Sequence, residues 1–326
     1  MKVLVVGGAG YVGSQVMKSL ARRGYEPVVL DNLSSGHADS VRYGRLIVGD
    51  AADAELLRSV FSSERFIAVM HFASHIQVGE SMLNPSRYYG NNVCATLTLL
   101  DAMRAAAVNR CIFSSSAAVY GAPATMPVSE DHPAAPINPY GRSKWIVEQI
   151  LLDYSAAYGL QHACLRYFNA AGADPECELG ERHVPETHLI PLVLQAASGG
   201  LKDVAVFGRD YPTRDGTCER DYVHVHDLAH AHVLALEHLV RGAANGTFNL
   251  GAGRGYTVQE VIALAGEVTG RPIGVRHESK RIGDPPCLIA DSRKAFRVLG
   301  WTPSHSDMKT ILQHAWRWEQ RISPDK

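Results

Sequence analysis

A surplus of charge of either sign is missing from this sequence. Its 32 lysines and arginines face 33 aspartates and glutamates, a formal net charge of −1. A near-neutral chain has no basic surplus to set against a polyanion, so no nucleic-acid partner is expected. Long hydrophobic runs are missing too: no stretch approaches the ~20 apolar residues of a bilayer span, and no membrane association is expected. Cysteine is sparse. The six, at 94, 111, 164, 177, 218 and 287, are widely spread and form no CxxC pair. That argues against a disulfide framework and fits free thiols in a reducing cytoplasm. The opening MKVLVVGG runs straight into a strand pattern with no cleavable signal segment, so a cytoplasmic location is expected. Internal repeats, low-complexity tracts and flexible linkers are also lacking.

What is present is an ample apolar fraction, 46% of 326 residues, enough for one large or two modest domains. Over the first 170 residues, short apolar runs alternate with amphipathic stretches. KVLVVGG, EPVVLDN, RLIVGD, FIAVMHFA, NRCIFSSS and HACLRYFN read as strands. They are continuous rather than alternating, which means burial on both faces. Segments such as SQVMKSLARRG and AELLRSVFSSE supply the intervening helices. Repeated strand–helix–strand units predict an α/β fold, a doubly wound parallel Rossmann sheet. Beyond residue 170 the texture changes. AGADPECELGERHVPETH reads as loop, LIPLVLQAASGG and HDLAHAHVLALEHLV as helices, GTFNLGAG as a strand and the final HSDMKTILQHAWRWEQRI as a helix. With no linker between the two textures, a smaller α/β substrate domain is expected to interleave with the first. The division is 1–168 plus about 222–250 against about 169–221 plus 251–326.

The first strand runs into a glycine-rich turn and then a helix. Gly7, Gly10 and Gly13 stand three apart, and Gly8 to Gly13 also reads GxGxxG. In that context glycines let main-chain N–H groups approach a pyrophosphate at a helix N-terminus. Asp31 ends the second strand, eighteen residues past Gly13. A carboxylate there accepts hydrogen bonds from the adenosine ribose and repels a 2′-phosphate, so NAD is expected ahead of NADP.

A second motif is NPYGRSK, residues 138–144. Asn138 suits a helix N-cap and Pro139 the first helical position. Apolar residues at Trp145, Ile146, Ile150, Leu151, Leu152 and Tyr154 continue the helical spacing. Tyr140 and Lys144 then share one face. A phenol with a pKa near ~10 is a poor base at neutral pH, and moving it to about 7 requires roughly 4 kcal/mol. The sequence predicts that Lys144, with a bound cationic cofactor, lowers it by that route.

Together the strings GGAGYVGS, DNLSSG, HFAS, FSSSAAVYG, PYGRSK and LRYFNAAGA resemble the extended short-chain dehydrogenase/reductase family over the whole chain. VGES, YYGNNV, PETHLIPLVLQ, FGRDYPTRDGTCERDYVHVHDLA and RIGDPPCLIAD resemble its branch of nucleotide-sugar 4-epimerases. The resemblance implies a catalytic set of Ser116, Tyr140 and Lys144. It also implies reversible oxidation of a UDP-sugar at C4, interconverting UDP-glucose and UDP-galactose through a 4-ketose, with NAD retained. Tyr11, Val12, Asp31, Asn32, Asp50, Ala51, Phe72, Ala73, Asn91 and Tyr167 match NAD-contacting positions beside the glycines, Tyr140 and Lys144. Ser116, Tyr140, Asn169, Leu189, Phe207, Arg220, Arg281 and Asp284 match positions around the UDP-sugar, the two arginines suiting its diphosphate. His188, where some members have an asparagine, would face the sugar. Leu288, or Cys287 if the count slips by one, stands where members restricted to plain hexoses carry tyrosine, and so would admit 2-acetamido sugars. A lysine that often follows HFA in the family is missing from SHIQ (74–77), where His75 stands. A homodimer, paired through segments 91–106 and 140–158, is also implied.

Rival readings are weaker. A 4,6-dehydratase of this family carries Asp-Glu after the paired serines, where this chain has Ala117-Ala118. A UDP-glucuronate epimerase or decarboxylase needs a further cation for the C6 carboxylate, and none is evident. A non-catalytic NAD-binding protein would lose the tyrosine–lysine pair. His226 and His230 are four apart, a usable ligand spacing, but no acidic or cysteine partner completes a set, and no metal is expected.

Overall fold

The computed structural model describes residues 1–281 and 283–323. Its first part runs β1 (Lys2–Val6), α1 (Tyr11–Arg22), β2 (Glu26–Asp31), β3 (Arg45–Val48), α2 (Ala54–Ser63), β4 (Phe66–His71), α3 (Val78–Leu83), α4 (Pro85–Tyr89), α5 (Ala95–Ala105), β5 (Arg110–Ser116), α6 (Pro139–Tyr158) and β6 (Gln161–Tyr167). It continues with β7 (Asn169–Ala171), α7 (Leu189–Ala197), β8 (Val204–Phe207), β9 (Glu219–His224), α8 (Val225–Val240), β10 (Gly246–Leu250), β11 (Gly255–Thr257), α9 (Val258–Thr269), β12 (Val275–Glu278), β13 (Cys287–Leu288), α10 (Arg293–Leu299) and α11 (Met308–Ile322).

Seven strands form one parallel sheet in the order β10-β6-β5-β4-β1-β2-β3. Strand order reverses beside β1, the switch point where α/β sheets open a ligand crevice. The continuous apolar runs are explained by the two layers they face. Along β1, Val3 and Val5 join one buried cluster with Val16, Met17 and Leu20 of α1 and Leu228 and Leu236 of α8. Leu4 and Val6 join the opposite cluster with Leu57 of α2, Leu99 of α5 and Leu151 of α6. Successive side chains point to opposite faces, so a strand covered on both sides must be apolar throughout.

The remaining strands are short. β11, β9 and β13 form a sheet that β7 joins through β9, and β8 pairs with β12. A third cluster, around Val193, Leu194, Val261, Ile311 and Leu312, packs α7, α9 and α11 together. Thr257 starts α9 with a capping box: its side chain accepts from the Glu260 N–H, and Glu260 reaches back to the Thr257 N–H. No helix among the described residues is long and apolar enough to cross a membrane.

Candidate active site

The glycine turn after β1 is shaped by contact. Gly7 has φ 81°, and a Cβ there would lie 2.4 Å from the Ala73 nitrogen; a Cβ on Gly13 would lie 2.4 Å from the Gly7 oxygen. Only hydrogen fits at either position, so the turn lies tight against the end of β4 and the first turn of α1. Gly10, the N-cap of α1, offers no side-chain cap, which leaves the leading N–H groups of α1 facing the crevice. Asp31 accepts from the Ala9 N–H (2.9 Å) and the Leu33 N–H (2.8 Å), tying the turn to the end of β2. Asn32 donates to Asp50 at 2.8 Å, and Tyr11 donates to the Gly172 carbonyl at 2.6 Å. Phe72 packs on His232 with ring centroids 4.8 Å apart. A dinucleotide fits this cradle: main-chain donors at a helix start, no Cβ in the way, and a carboxylate at the second strand's end.

Across the crevice, α6 begins as its sequence predicts. Asn138 accepts from the Gly141 N–H at 2.8 Å and Pro139 occupies the first turn. A Cβ on Gly141 would lie 2.4 Å from the Ala118 carbonyl oxygen. That close approach sets α6 against the turn Ala117–Tyr120, which leaves β5 at Ser116. Beneath it, the Ser143 hydroxyl donates to the Tyr140 carbonyl (2.7 Å) and accepts from Asn92 (3.0 Å). Lys144 is buried and donates to the Ser114 carbonyl at 2.8 Å, its ammonium 5.9 Å from the Tyr140 ring centre. Tyr167 shares a short hydrogen bond with Ser114. Behind this row, Arg166 holds Glu148 through its Nε at 2.9 and 3.2 Å and donates to the Tyr120 hydroxyl at 2.9 Å.

The protein's own groups do not bring the Tyr140 pKa down. Tyr140 opens onto the cavity but is otherwise enclosed by protein, and burial raises its pKa above 10.0, with the Ser116 hydroxyl pulling it back. Burial also pushes Lys144 down to about 7 against the opposing pull of Glu148. In a low-dielectric cleft each charged form is penalised before the pair can help one another. Lys144 alone therefore does not make Tyr140 a base; a further positive charge beside the phenol must do so, and it acts most strongly where water is excluded.

The remaining candidates lie on the far wall. Asn169 donates to the Asp221 carbonyl at 2.9 Å. Arg220 stands 3.9 Å from Asp284, and the Arg281 guanidinium lies 3.7 Å from the Phe207 ring centre. Leu189 opens α7. Leu288 pairs with Arg220 across β13 and β9, whereas the neighbouring Cys287 thiol points to Glu219 at 3.8 Å. The Nδ1 of His188 is held by Glu181. All the residues predicted for cofactor, substrate and catalysis, including Gly10, Val12, Ala51 and Asn91, line one cavity of ≈ 1250 Å³; Leu288 lines it and Cys287 does not. Single-ligand pockets run to about 1,000 Å³, so this one has room for two molecules end to end.

Sequence reasoning misses several participants. Arg87 lines the cavity and donates to His75 at 3.2 Å while paired with Glu80, so a cation does stand near the position where SHIQ lacks a lysine. Its only signal is the helix start NPSRYY. Asn92, the neighbour of the expected Asn91, sits with it on a π turn, Gly90–Cys94, which joins α4 to α5 and which no hydrophobic period reveals. The histidines of 224–238 do come together with others: His224 Nε2 meets His314 Nδ1 at 3.0 Å, and the His226 and His305 rings are 4.8 Å apart.

The model of the NAD dependent epimerase/dehydratase family matches residues 3–251. This chain belongs to that family. A UDP-glucose 4-epimerase of Rhizobium meliloti (strain 1021) is 50% identical over 98% of this chain and 97% of its own length. The crystal structure of UDP-glucose 4-epimerase from Brucella ovis in complex with NAD superposes with a TM-score of 0.94 at 50% identity, covering 97% of each chain. That of Bifidobacterium longum, in complex with NAD+ and UDP, gives 0.95 at 37% identity over 100% of this chain and 99% of the other. The family's fold, a mostly parallel sheet with helices on both faces, is the one described above.

Proposed function

We propose that this protein interconverts UDP-glucose and UDP-galactose, keeping its NAD through the cycle. The observation that carries the reading is that Ser116, Tyr140 and Lys144 meet on one wall of a single cavity, between a dinucleotide cradle and a wall bearing two arginines. The chemistry that bound NAD supplies is removal of hydride from sugar C4 and its return to the opposite face. Tyr140 takes the proton of the 4-hydroxyl and later gives it back. Ser116 hydrogen-bonds the 4-oxygen as charge develops on it, an effect strengthened where water is excluded. Lys144 holds the nicotinamide ribose and favours the phenolate of Tyr140. A base so placed contributes about 10²- to 10⁴-fold.

On the cofactor side, Gly7, Gly10 and Gly13 take the pyrophosphate and Asp31 the ribose. Tyr11, Val12, Asn32, Asp50, Ala51, Phe72, Ala73, Asn91 and Tyr167 complete that surface. On the other, Arg220 and Arg281 meet the diphosphate, and Asn169, His188, Leu189, Phe207 and Asp284 surround the UDP-sugar. Leu288 lies beside the sugar's C2. The corresponding division of the chain is 1–168 with about 222–250 for NAD, and about 169–221 with 251–326 for the UDP-sugar; residues 282 and 324–326 fall outside those described. Homodimer formation would use segments 91–106 and 140–158, and Leu152 (53% exposed) and Tyr158 (55%) on α6 offer apolar area for it. Sedimentation is expected to give a dimer; a monomer alone at micromolar concentration counts against it. The six free thiols suit a cytoplasmic location.

Ala117 and Ala118 form the turn after Ser116 and have no acid–base groups, which disfavours the dehydratase alternative. The direct test is incubation of the purified protein with UDP-galactose, no NAD added, and a coupled readout of UDP-glucose. Turnover is expected. A stoichiometric requirement for added NADP⁺ would overturn both the Asp31 argument and the retained-cofactor cycle.

A further inference from the structure

We infer that Glu181, His183, Glu186 and His188 form a binding site for one zinc-class divalent cation, which clips together the loop between β7 and α7. The sequence carries the four at the spacing E-x-H-x-x-E-x-H, inside a stretch read only as loop. The fold draws one ligand atom from each to within 4.8 Å of all the others. His183 Nδ1 lies 3.0 Å from a Glu181 oxygen and 3.7 Å from a Glu186 oxygen, and His188 Nδ1 meets the same Glu181 oxygen. A tetrahedral zinc with bonds of about 2.0–2.1 Å holds its ligand atoms about 3.3 Å apart, so the measured separations bracket the requirement.

The shell around these groups is built. The Glu181 and Glu186 side chains are only 5% and 7% exposed. Glu186 Oε1 accepts the N–H groups of Thr187 (2.7 Å) and His188 (2.8 Å), which turns its Oε2 toward the histidines. The Glu181 carbonyl is fixed by the Trp318 indole at 3.0 Å. Arg182, the one cation between the ligands, is drawn away to Asp39. Outer contacts of this kind orient ligands and tune a site.

Donor chemistry selects the ion. Two imidazoles and two carboxylates suit zinc and its neighbours, whereas calcium and magnesium prefer all-oxygen sets. A divalent cation balances two carboxylates with both imidazoles neutral. Four protein ligands close a tetrahedral site, so the role is structural. The site pins the cavity-lining loop beside Tyr11, whose ring packs edge-on to His183 at 6.4 Å. With Nδ1 engaged, His188 keeps Nε2 for the cavity. The inference does not depend on which sugar is turned over.

The test uses the holoprotein stripped with a chelator and titrated with ZnCl₂ alone, followed by calorimetry, thermal melting and zinc X-ray absorption. One equivalent is expected, with a four-coordinate nitrogen/oxygen shell and a raised Tm. His183→Ala is expected to weaken binding by at least about 10-fold. Should that variant fold poorly, Glu186→Gln provides the same comparison with the carboxylate's shape kept. A His305→Ala/His314→Ala double variant, which dismantles the other histidine cluster, is expected to bind as wild type does. No binding at micromolar zinc, sulfur in the shell, or undiminished binding by both ligand variants overturns the inference.

Discussion

On the β1–α1 side of the cavity the chain presents main-chain atoms. Gly7 meets the backbone of residues 72 and 73, and Gly13 that of residues 7 and 8, with no room for a Cβ at either, and helix N–H groups face the crevice uncapped. On the wall made by α7, β8, β9 and β13 it presents side chains instead: Arg220, Arg281, Phe207 and Leu288, set on short elements and loops. At Gly7 and Gly13 the first surface tolerates no added atom; the second can be trimmed or enlarged one group at a time. Chemistry common to a whole cofactor class belongs on the first. Discrimination among sugars belongs on the second.

The boundary between the two surfaces is where the largest loss is expected. Tyr140→Phe removes the base and should lower kcat by about 10²- to 10⁴-fold with UDP-sugar affinity nearly kept; near-normal turnover would remove Tyr140 from the reaction. Lys144→Ala should shift the base limb of the pH–rate profile upward, because losing an adjacent ammonium disfavours the phenolate. An unmoved limb in a pH titration of kcat would show that the cofactor's charge acts without Lys144.

Next comes Gly7→Ala. At φ 81° with a Cβ 2.4 Å from the Ala73 nitrogen, overpacking and backbone strain together should cost about 2–4 kcal/mol. Purified variant should melt lower and carry less NAD, read from the absorbance near ~340 nm that a sugar nucleotide elicits. A variant that keeps both would break the comparison at its rigid side.

Smaller effects fall on the other wall. Leu288→Tyr should depress kcat/KM for UDP-N-acetylgalactosamine relative to UDP-galactose by about 10- to 200-fold, the range of a steric clash. Wild-type protein inactive on the N-acetyl sugar would sink that expectation. Arg281 is exposed and stacked on Phe207, so Arg281→Ala should cost only about 1 kcal/mol, about fivefold in KM, with Tm unchanged.

The same contrast explains what could be read from the chain. The inner sheet strands are legible because burial on two faces forces continuous apolar runs, the edge strand β3 keeps an apolar run although Arg45 and Val48 are exposed, and the glycine turn is legible because its packing demands particular residues at particular intervals. Asn138 and Pro139 announce α6 for local reasons. Arg87 is not legible, since nothing in NPSRYY says that α4 points toward the cavity. The π turn bearing Asn91 leaves no period to detect. Glu181 and His183 look like ordinary loop residues until the fold brings Glu186 and His188 round to them. The burial that raises the Tyr140 pKa in the protein alone is equally hidden, because spacing fixes neighbours on a helix but says nothing of how much water reaches them.

Gly141 has a consequence for how the enzyme can vary. The separation between the turn that starts at Ser116 and the helix that carries Tyr140 is a hard stop, main chain against main chain at the Ala118 carbonyl. Side chains around the stop can be exchanged, and the cavity retailored for other sugars, without resetting the gap between the two hydroxyls. An insertion or a larger residue at that one point moves both at once. Catalytic spacing and substrate choice are thereby free to drift independently, which is what a lineage needs to change sugars while keeping one reaction.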